Sequence, residues 1–172
     1  MSEDGVPDPH IERRKDPSGA KIEAWKETLE TMEEIAEDRR NDGWEVVTVR
    51  AAHTDTVSKD MREHDRFGLM HVVPRSDGER FADAYDPEEF TEFLVYGADV
   101  SGFMYAVTEL IDPEAKRSIL IASQYDMTRA RGMVQNAHEE GVLYTYVKKI
   151  DGTILGKFEH EEFEPLLKRP PT

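Results

Sequence analysis

Three histidines and two aspartates that fall within nineteen residues of the chain could bind a metal ion. They are His53, Asp55, His64, Asp65 and His71. Neutral imidazole and carboxylate are ligands for zinc, iron or manganese. Side chains two residues apart in an extended chain, such as His53 and Asp55, point to the same side. We interpret His53, Asp55, His64 and His71 as a candidate divalent metal site. The alternative is that His71 is a hydrogen-bonded strand residue and that the others belong to an ordinary polar loop.

A second group of polar side chains lies where a predicted strand leads into a predicted helix. Ser123, Gln124, Tyr125 and Arg129 would sit at one edge of a sheet, where the N-terminal amides of a helix attract anions. We take these four as candidate ligand-binding residues. The alternative is that Asp126 caps the helix and that the arginines pair with surface carboxylates.

The familiar signatures of catalysis and nucleotide binding are absent from the sequence. The chain has no GxxxxGK[ST], GxGxxG, HExxH or GxSxG pattern and no calcium-loop pattern. The absence of Cys excludes disulfides, thiolate nucleophiles and Cys-ligated zinc. We therefore predict no cofactor, apart from the divalent metal that the first group of residues could hold.

Acidic residues dominate the composition. The chain has 37 Asp and Glu against 22 Lys and Arg, a net charge of -15 over 172 residues. Such a charge repels itself in dilute buffer, but the Debye length falls to roughly 3 Å in molar salt. In composition the chain resembles the cytoplasmic proteins of extreme halophiles; an acidic protein of a mesophile is the alternative.

The same charge argues against nucleic acid and membranes as partners. Phosphate binding needs clustered Lys and Arg, and the only basic run is Arg13-Arg14-Lys15. An acidic membrane surface would repel the chain. No apolar run approaches the roughly 20 residues of a membrane span, and the N-terminus lacks the apolar core of a signal peptide. We therefore expect a cytoplasmic protein.

Composition and periodicity predict an N-terminal arm followed by one domain. Residues 1–20 mix Pro, Gly and charged residues and are expected to form a flexible arm. Residues 21–168 are expected to form a single domain, since a chain of this size can bury about 70% of its unfolded surface.

Hydrophobic periodicity predicts an α+β domain with a mostly antiparallel sheet of about six strands and about three helices. The predicted helix at residues 86–97 depends on a capping box formed by Asp86 and Glu89, with Pro87 at the first helical position. Residues 98–111 also fit a helix, but we favour a strand over residues 102–111. The other predicted helices are residues 21–42, 127–140 and a short segment with Phe163, Leu166 and Leu167; the other strands are residues 44–50, 67–73, 117–125, 142–149 and 153–158.

The order helix, Gly, strand, strand, helix occurs twice, over residues 21–96 and 127–167. Gly43-Trp44 in the first copy matches Gly141-Val142 in the second. An internal αββα duplication would relate the two copies by a pseudo-twofold axis. A single domain that follows common local rules is the alternative.

Clear fold signals without a catalytic constellation favour a non-enzymatic module of a halophile cytoplasm. It would bind a small ligand or a protein partner, and a homodimer through an exposed strand edge is one form of such a partner. The alternative is a metal-dependent hydrolase that uses the His/Asp cluster at residues 53–71, with a bound metal activating water.

The charge generates a prediction about salt. Because self-repulsion is unscreened in dilute buffer, the melting temperature should rise steeply between low and molar KCl. Thermal melts followed by circular dichroism in a KCl series would measure this. A melting temperature that is the same at both ends of the series would contradict the halophile interpretation.

Overall fold

A computed structural model describes residues 19–59 and 67–167. Within these ranges the chain forms eight strands, three α-helices of ten or more residues and one final short helix. The elements in chain order are α1 (Ala20–Asn41), β1 (Glu45–Arg50), β2 (His53–Val57), β3 (Gly68–Val72), α2 (Arg75–Ala84), β4 (Glu92–Val100), β5 (Phe103–Asp112), β6 (Arg117–Asp126), a 3₁₀ turn (Met127–Arg129), α3 (Arg131–Glu140), β7 (Leu143–Lys148), β8 (Ile154–His160) and α4 (Glu164–Leu167).

The strands form two four-stranded mixed sheets. Sheet A has the order β1-β6-β5-β4, and sheet B has the order β2-β3-β7-β8. Each sheet contains one parallel pair, β1 with β6 and β3 with β7, while the remaining pairs are antiparallel. The predicted α+β class and the preference for antiparallel pairing are confirmed. The single sheet of about six strands is corrected to two sheets.

The chain crosses from sheet A to sheet B through the two residues between β1 and β2. The amide of Ala51 donates to the carbonyl oxygen of Ala122 in sheet A at 2.9 Å, and the amide of Ala52 donates to that of Val72 in sheet B at 2.8 Å. Consecutive amides therefore tie the two sheets together at this point. The polar composition of β2 favours a loop, but β2 pairs with β3 along its whole length, and its buried Thr54 side chain is bonded to His71.

The main core lies between the two sheets. At one end, Phe81 of α2 packs with Ile121 of sheet A and Val147 of sheet B. Towards the other end, Met133 of α3 belongs to a cluster that includes Leu143 of sheet B and residues of sheet A. Because both clusters contain strands of both sheets, the helices close the space between the sheets.

Helix α1 packs on the outer face of sheet A. Met32 and Ala36 contact a cluster of Val107, Leu120 and Ala122, as the spacing of apolar residues at three and four predicts. The predicted helix at residues 21–42 is confirmed, shifted by one residue at each end.

No helix in the described ranges is both long and apolar enough to cross a membrane.

One ion pair anchors the C-terminal half of α1 to sheet A. The side chain of Glu109 on β5 is 0% exposed, and its two oxygens accept from Arg39 Nε at 2.8 Å and Nη2 at 2.9 Å. The hydroxyl of Tyr96 on β4 donates to the same carboxylate at 3.2 Å. This pairing raises the pKa of Arg39 above its usual value. A carboxylate buried this deeply requires such partners, because burying an unpaired charge has a large desolvation penalty.

The predicted helix over residues 86–97 is wrong. Asp86 does cap a turn, since its side chain accepts from the amide of Glu88 at 2.9 Å, but the turn does not continue. The amide of Thr91 already donates to the carbonyl of Ile111 in sheet A, and β4 then pairs with β5 along its whole length. The nine-residue ladder outweighs a capping box, which stabilises only one end of a helix.

The sequence analysis does not predict helix α2, because its residues show only a weak helical pattern. Only Phe81 and Gly78 are buried, and Gly disfavours helix interiors. Gly78 is nevertheless well placed, because a Cβ atom there would lie 3.1 Å from Leu155 and 3.3 Å from Val73. The missing side chain lets α2 approach the core closely.

The interpretation of an internal duplication does not match the strand pairing. The two strands of the second copy, β7 and β8, pair with each other. The corresponding strands of the first copy, β1 and β3, lie in different sheets, and the matching helix at residue 86 is absent. The observed topology therefore follows the alternative of a single domain.

The ion pair generates a prediction about stability. Arg39→Met should lower the free energy of unfolding by about 3 kcal/mol, because it leaves the Glu109 carboxylate buried without its cation. Urea unfolding in molar KCl measures the change. Arg40→Met is the matched control, since Arg40 is exposed and its side chain donates to the backbone carbonyl of Val46 and not to a carboxylate.

A double variant separates charge from packing. Arg39→Met combined with Glu109→Leu should recover most of the lost stability, because an apolar pair replaces the buried ion pair. A single Arg39→Met variant as stable as Arg40→Met would show that the ion pair does not anchor α1.

Candidate functional site

The structure brings together two of the four predicted metal ligands. His53 Nε2 and Asp55 Oδ1 lie 2.6 Å apart on β2, with side chains 64% and 42% exposed. This pair follows the two-residue spacing that the sequence predicts for an extended chain.

His71 lies on the opposite face of sheet B from that pair. Its Nδ1 atom lies 2.9 Å from Thr54 Oγ1, and Thr54 stands between His53 and Asp55 on β2, so it points to the other side of the sheet. His64 lies outside the described residues. Within the ranges that the structure describes, no three His, Asp or Glu side chains form a group that could hold a metal.

The second predicted group is also divided between faces. Ser123 and Tyr125 are buried, and the Tyr125 hydroxyl donates to the carbonyl of Leu166 at 2.7 Å. Gln124 alternates with them on β6 and points the other way. Arg129 is 85% exposed and lies 3.7 Å from Asp126. Asp126 accepts from the amide of Thr128, so the alternative of a capping residue is the arrangement observed.

A groove of about 500 Å³ lies between the N-terminal half of α1 and sheet A. Its walls carry small side chains on both sides. Ala20 and Ala24 face it from the helix and Ala98 faces it from β4, while Gly97 lines it with backbone atoms, since a Cβ atom there would approach Met104 and Ala106 on the other side of the sheet. The small side chains at the three alanine positions leave space that larger side chains would fill by packing.

Two tyrosines and two glutamates set the chemistry of the groove. Tyr96 and Tyr105 line it from the sheet, and Glu23 and Glu27 line it from the first turns of α1. The two glutamates are the only charged residues lining it in the described part of the chain. Because the hydroxyl of Tyr96 is bonded to Glu109, the ion pair that anchors α1 also fixes one wall of the groove.

Two buried histidines between the sheets form a separate polar cluster. His71 is bonded to Thr54, and His160 Nε2 lies 2.6 Å from Thr145 Oγ1. His160 also packs edge-on against Phe93, with ring centroids 4.3 Å apart. Burial lowers the pKa of His71 to about 4. Burial, and then the charge of His71, lower the pKa of His160 to about 3. Both rings are therefore neutral at neutral pH.

The sequence analysis predicts neither the groove nor the burial of His160. Because His160 precedes two glutamates, the sequence favours a solvated helix end there. In the structure His160 is the last residue of β8, and its side chain is 0% exposed. Its signal was the two-residue spacing from Phe158, which places both on one face of a strand. The spacing of Ala20 and Ala24 marks one groove wall, but small residues also mark close helix packing, so this signal was ambiguous.

The buried histidines generate a prediction about pH. An unfolded histidine has a pKa near 6.5, so the unfolded chain binds more protons than the folded chain below that pH. Stability that is complete above pH 6.5 is therefore lost as the pH falls towards the folded pKa of about 4. For His71 alone the loss between pH 7.5 and pH 5 should be about 2 kcal/mol.

Comparing variants isolates this contribution from that of the carboxylates. In urea unfolding at pH 7.5 and 5, His71→Gln should lose about 2 kcal/mol less stability than the parent protein across that interval. His138→Gln, at a side chain that is 54% exposed, should follow the parent protein. Equal pH dependence in all three proteins would contradict the assignment.

The described domain coincides with a known family of sequences. Residues 11–168 match the family model of DUF7529, a family of unknown function. No curated protein and no solved structure matches the chain. Because the match covers most of its length, the chain belongs to the DUF7529 family.

Proposed function

We propose that the protein is a non-enzymatic binding module that takes a small organic cation with an apolar body. The groove between α1 and sheet A is the observation that carries this proposal. Its volume of about 500 Å³ falls within the range of small-molecule sites. The net charge of -15 also fits the salt-rich cytoplasm expected from the composition.

The walls of the groove support an apolar ligand body. Ala24, Gly97, Ala98 and Val107 present carbon surface, and the ring of Tyr96 adds an aromatic face. Burying apolar ligand surface against such walls is favourable at roughly 25 cal/mol per Å². Tyrosine rings also attract cations through their negative faces.

The rim of the groove supports a positive ligand charge. Glu23 and Glu27 lie one turn apart on α1 and are both exposed. A ligand ammonium or guanidinium group at the rim would pair with them while it remains hydrated. Exposed pairs of this kind are worth roughly 0.2–1 kcal/mol each, so charge would set selectivity and the apolar walls would supply most of the affinity.

Hydrolysis at the His/Asp cluster is not the function that the geometry favours. His53 and Asp55 are on one face of sheet B and His71 is buried on the other. A catalytic metal requires about three protein ligands at one place. The described residues supply two there.

Three probes of similar shape and different charge test the proposal. Phenethylamine is cationic, 2-phenylethanol is neutral and 3-phenylpropanoate is anionic at pH 7.5. Calorimetric titration should give the tightest binding for the amine, weaker binding for the alcohol and none for the acid. Raising KCl should weaken the amine alone, because screening acts on charge pairs.

Variants of α1 identify the groove as the site. Glu23→Gln combined with Glu27→Gln should weaken the amine about three- to tenfold and leave the alcohol unchanged. The matched control is Glu33→Gln with Glu37→Gln, which removes the same charge from the part of α1 that lies beyond the groove. Ala98→Trp should block all three probes by filling the groove. Equal affinity of amine and alcohol, or equal effects of the two double variants, would overturn the proposal.

A further inference from the structure

Four buried polar atoms between the sheets have no hydrogen-bond partner among the described residues. They are His71 Nε2, His160 Nδ1, Thr108 Oγ1 and Ser123 Oγ. All four residues are at most 1% exposed. Buried polar groups in folded proteins are almost always paired, with protein or with ordered water. These atoms therefore require a partner that the described side chains do not supply.

The four residues come from both sheets, and their side chains point into the layer between the sheets. His71 on β3 and His160 on β8 flank β7 in sheet B: His160 is bonded to Thr145, and His71 pairs in register with Val147, two residues further along β7. Thr108 on β5 alternates with Leu110, a residue of the core between the sheets. It therefore points inward from sheet A.

Ser123 joins the same layer from the neighbouring strand. It lies between Ile121 and Tyr125 on one face of β6, and both of these belong to clusters between the sheets. Thr108 pairs in register with Ile121. Thr108 and Ser123 are therefore diagonal neighbours on the inner face of sheet A.

We propose that ordered internal water binds between the sheets to His71, His160, Thr108 and Ser123. Each ring nitrogen opposite the unpartnered one is already bonded to a threonine, His71 to Thr54 and His160 to Thr145. Water can donate to a ring nitrogen and accept from a hydroxyl, so it matches this mixture of groups whichever tautomer the rings adopt. An internal water typically makes two to four such bonds.

Water fits this site better than a metal ion. The four groups include two neutral imidazoles and two hydroxyls, whereas structural zinc is held by four ligands drawn from Cys, His and carboxylates. None of the four groups carries a negative charge that would offset a divalent cation. A buried cation without such a partner would be strongly disfavoured.

A hydroxyl deletion tests the proposal through the sign of its effect. Thr108→Val keeps the shape of the side chain and removes the hydroxyl. If the hydroxyl donates to internal water, the melting temperature should fall by roughly 3 °C. If the hydroxyl has no partner, the substitution removes an unpaired buried group and the melting temperature should stay level or rise, which would overturn the proposal.

Ser118→Ala is the matched control. Ser118 Oγ is also buried without a partner among the described residues, but it lies on the other face of sheet A with Leu120 and Ala122. A single hydroxyl does not supply the two or more partners that water needs. Its removal should therefore leave the melting temperature level or higher.

A crystal structure of the complete chain, with metal analysis of the same sample, observes the site directly. The expected result is a density peak at hydrogen-bond distance, about 2.7–3.2 Å, from at least three of the four atoms, without stoichiometric metal. Direct bonds between the four side chains with no such peak would overturn the proposal. So would a peak about 2.0–2.1 Å from both ring nitrogens together with one equivalent of zinc.

Discussion

The ion pair between Arg39 and Glu109 is the constraint on which the outer layer of the molecule depends. A carboxylate in the middle of β5 is fully buried only because α1 brings a bidentate guanidinium to it. The pair fixes where the C-terminal half of the helix lies on sheet A. The N-terminal half then spans residues too small to fill the gap beneath it, and the groove results. Tyr96 connects the two regions, since it bonds to Glu109 and lines the groove.

Buried polarity is arranged differently on the two faces of sheet A. Under α1, a charged pair is satisfied within the protein and carries no unpaired oxygen. Between the sheets, His71 and His160 are uncharged and are each only half satisfied by the described residues, because each uses one nitrogen on a threonine. The first arrangement holds a helix in place. The second makes the space between the sheets sensitive to protons, since protonating either ring would put a charge where no carboxylate of the described residues faces it.

Local sequence patterns predicted the elements whose burial is periodic and missed those decided by tertiary contacts. The stripe containing Met32 and Ala36 identifies α1, and residues 102–111 form a strand as favoured. The capping box at Asp86 does not begin a helix, because pairing nine residues with β5 stabilises a strand more than one capped turn stabilises a helix. Strand order was beyond local patterns, since β1 pairs with β6 across about seventy intervening residues. Of the candidate metal ligands in the described part of the chain, only His53 and Asp55 are neighbours, because the strand register places His71 on the other face.

Chemical-shift mapping tests the central claim most directly. Amide spectra of ¹⁵N-labelled protein, recorded while phenethylamine is added, report which residues sense the ligand. We expect shifts confined to the first three turns of α1 and to the ends of β4 and β5 that line the groove, with none in the β7–β8 turn. Shifts centred on His53 and Asp55, or the absence of saturable shifts in the groove, would contradict it.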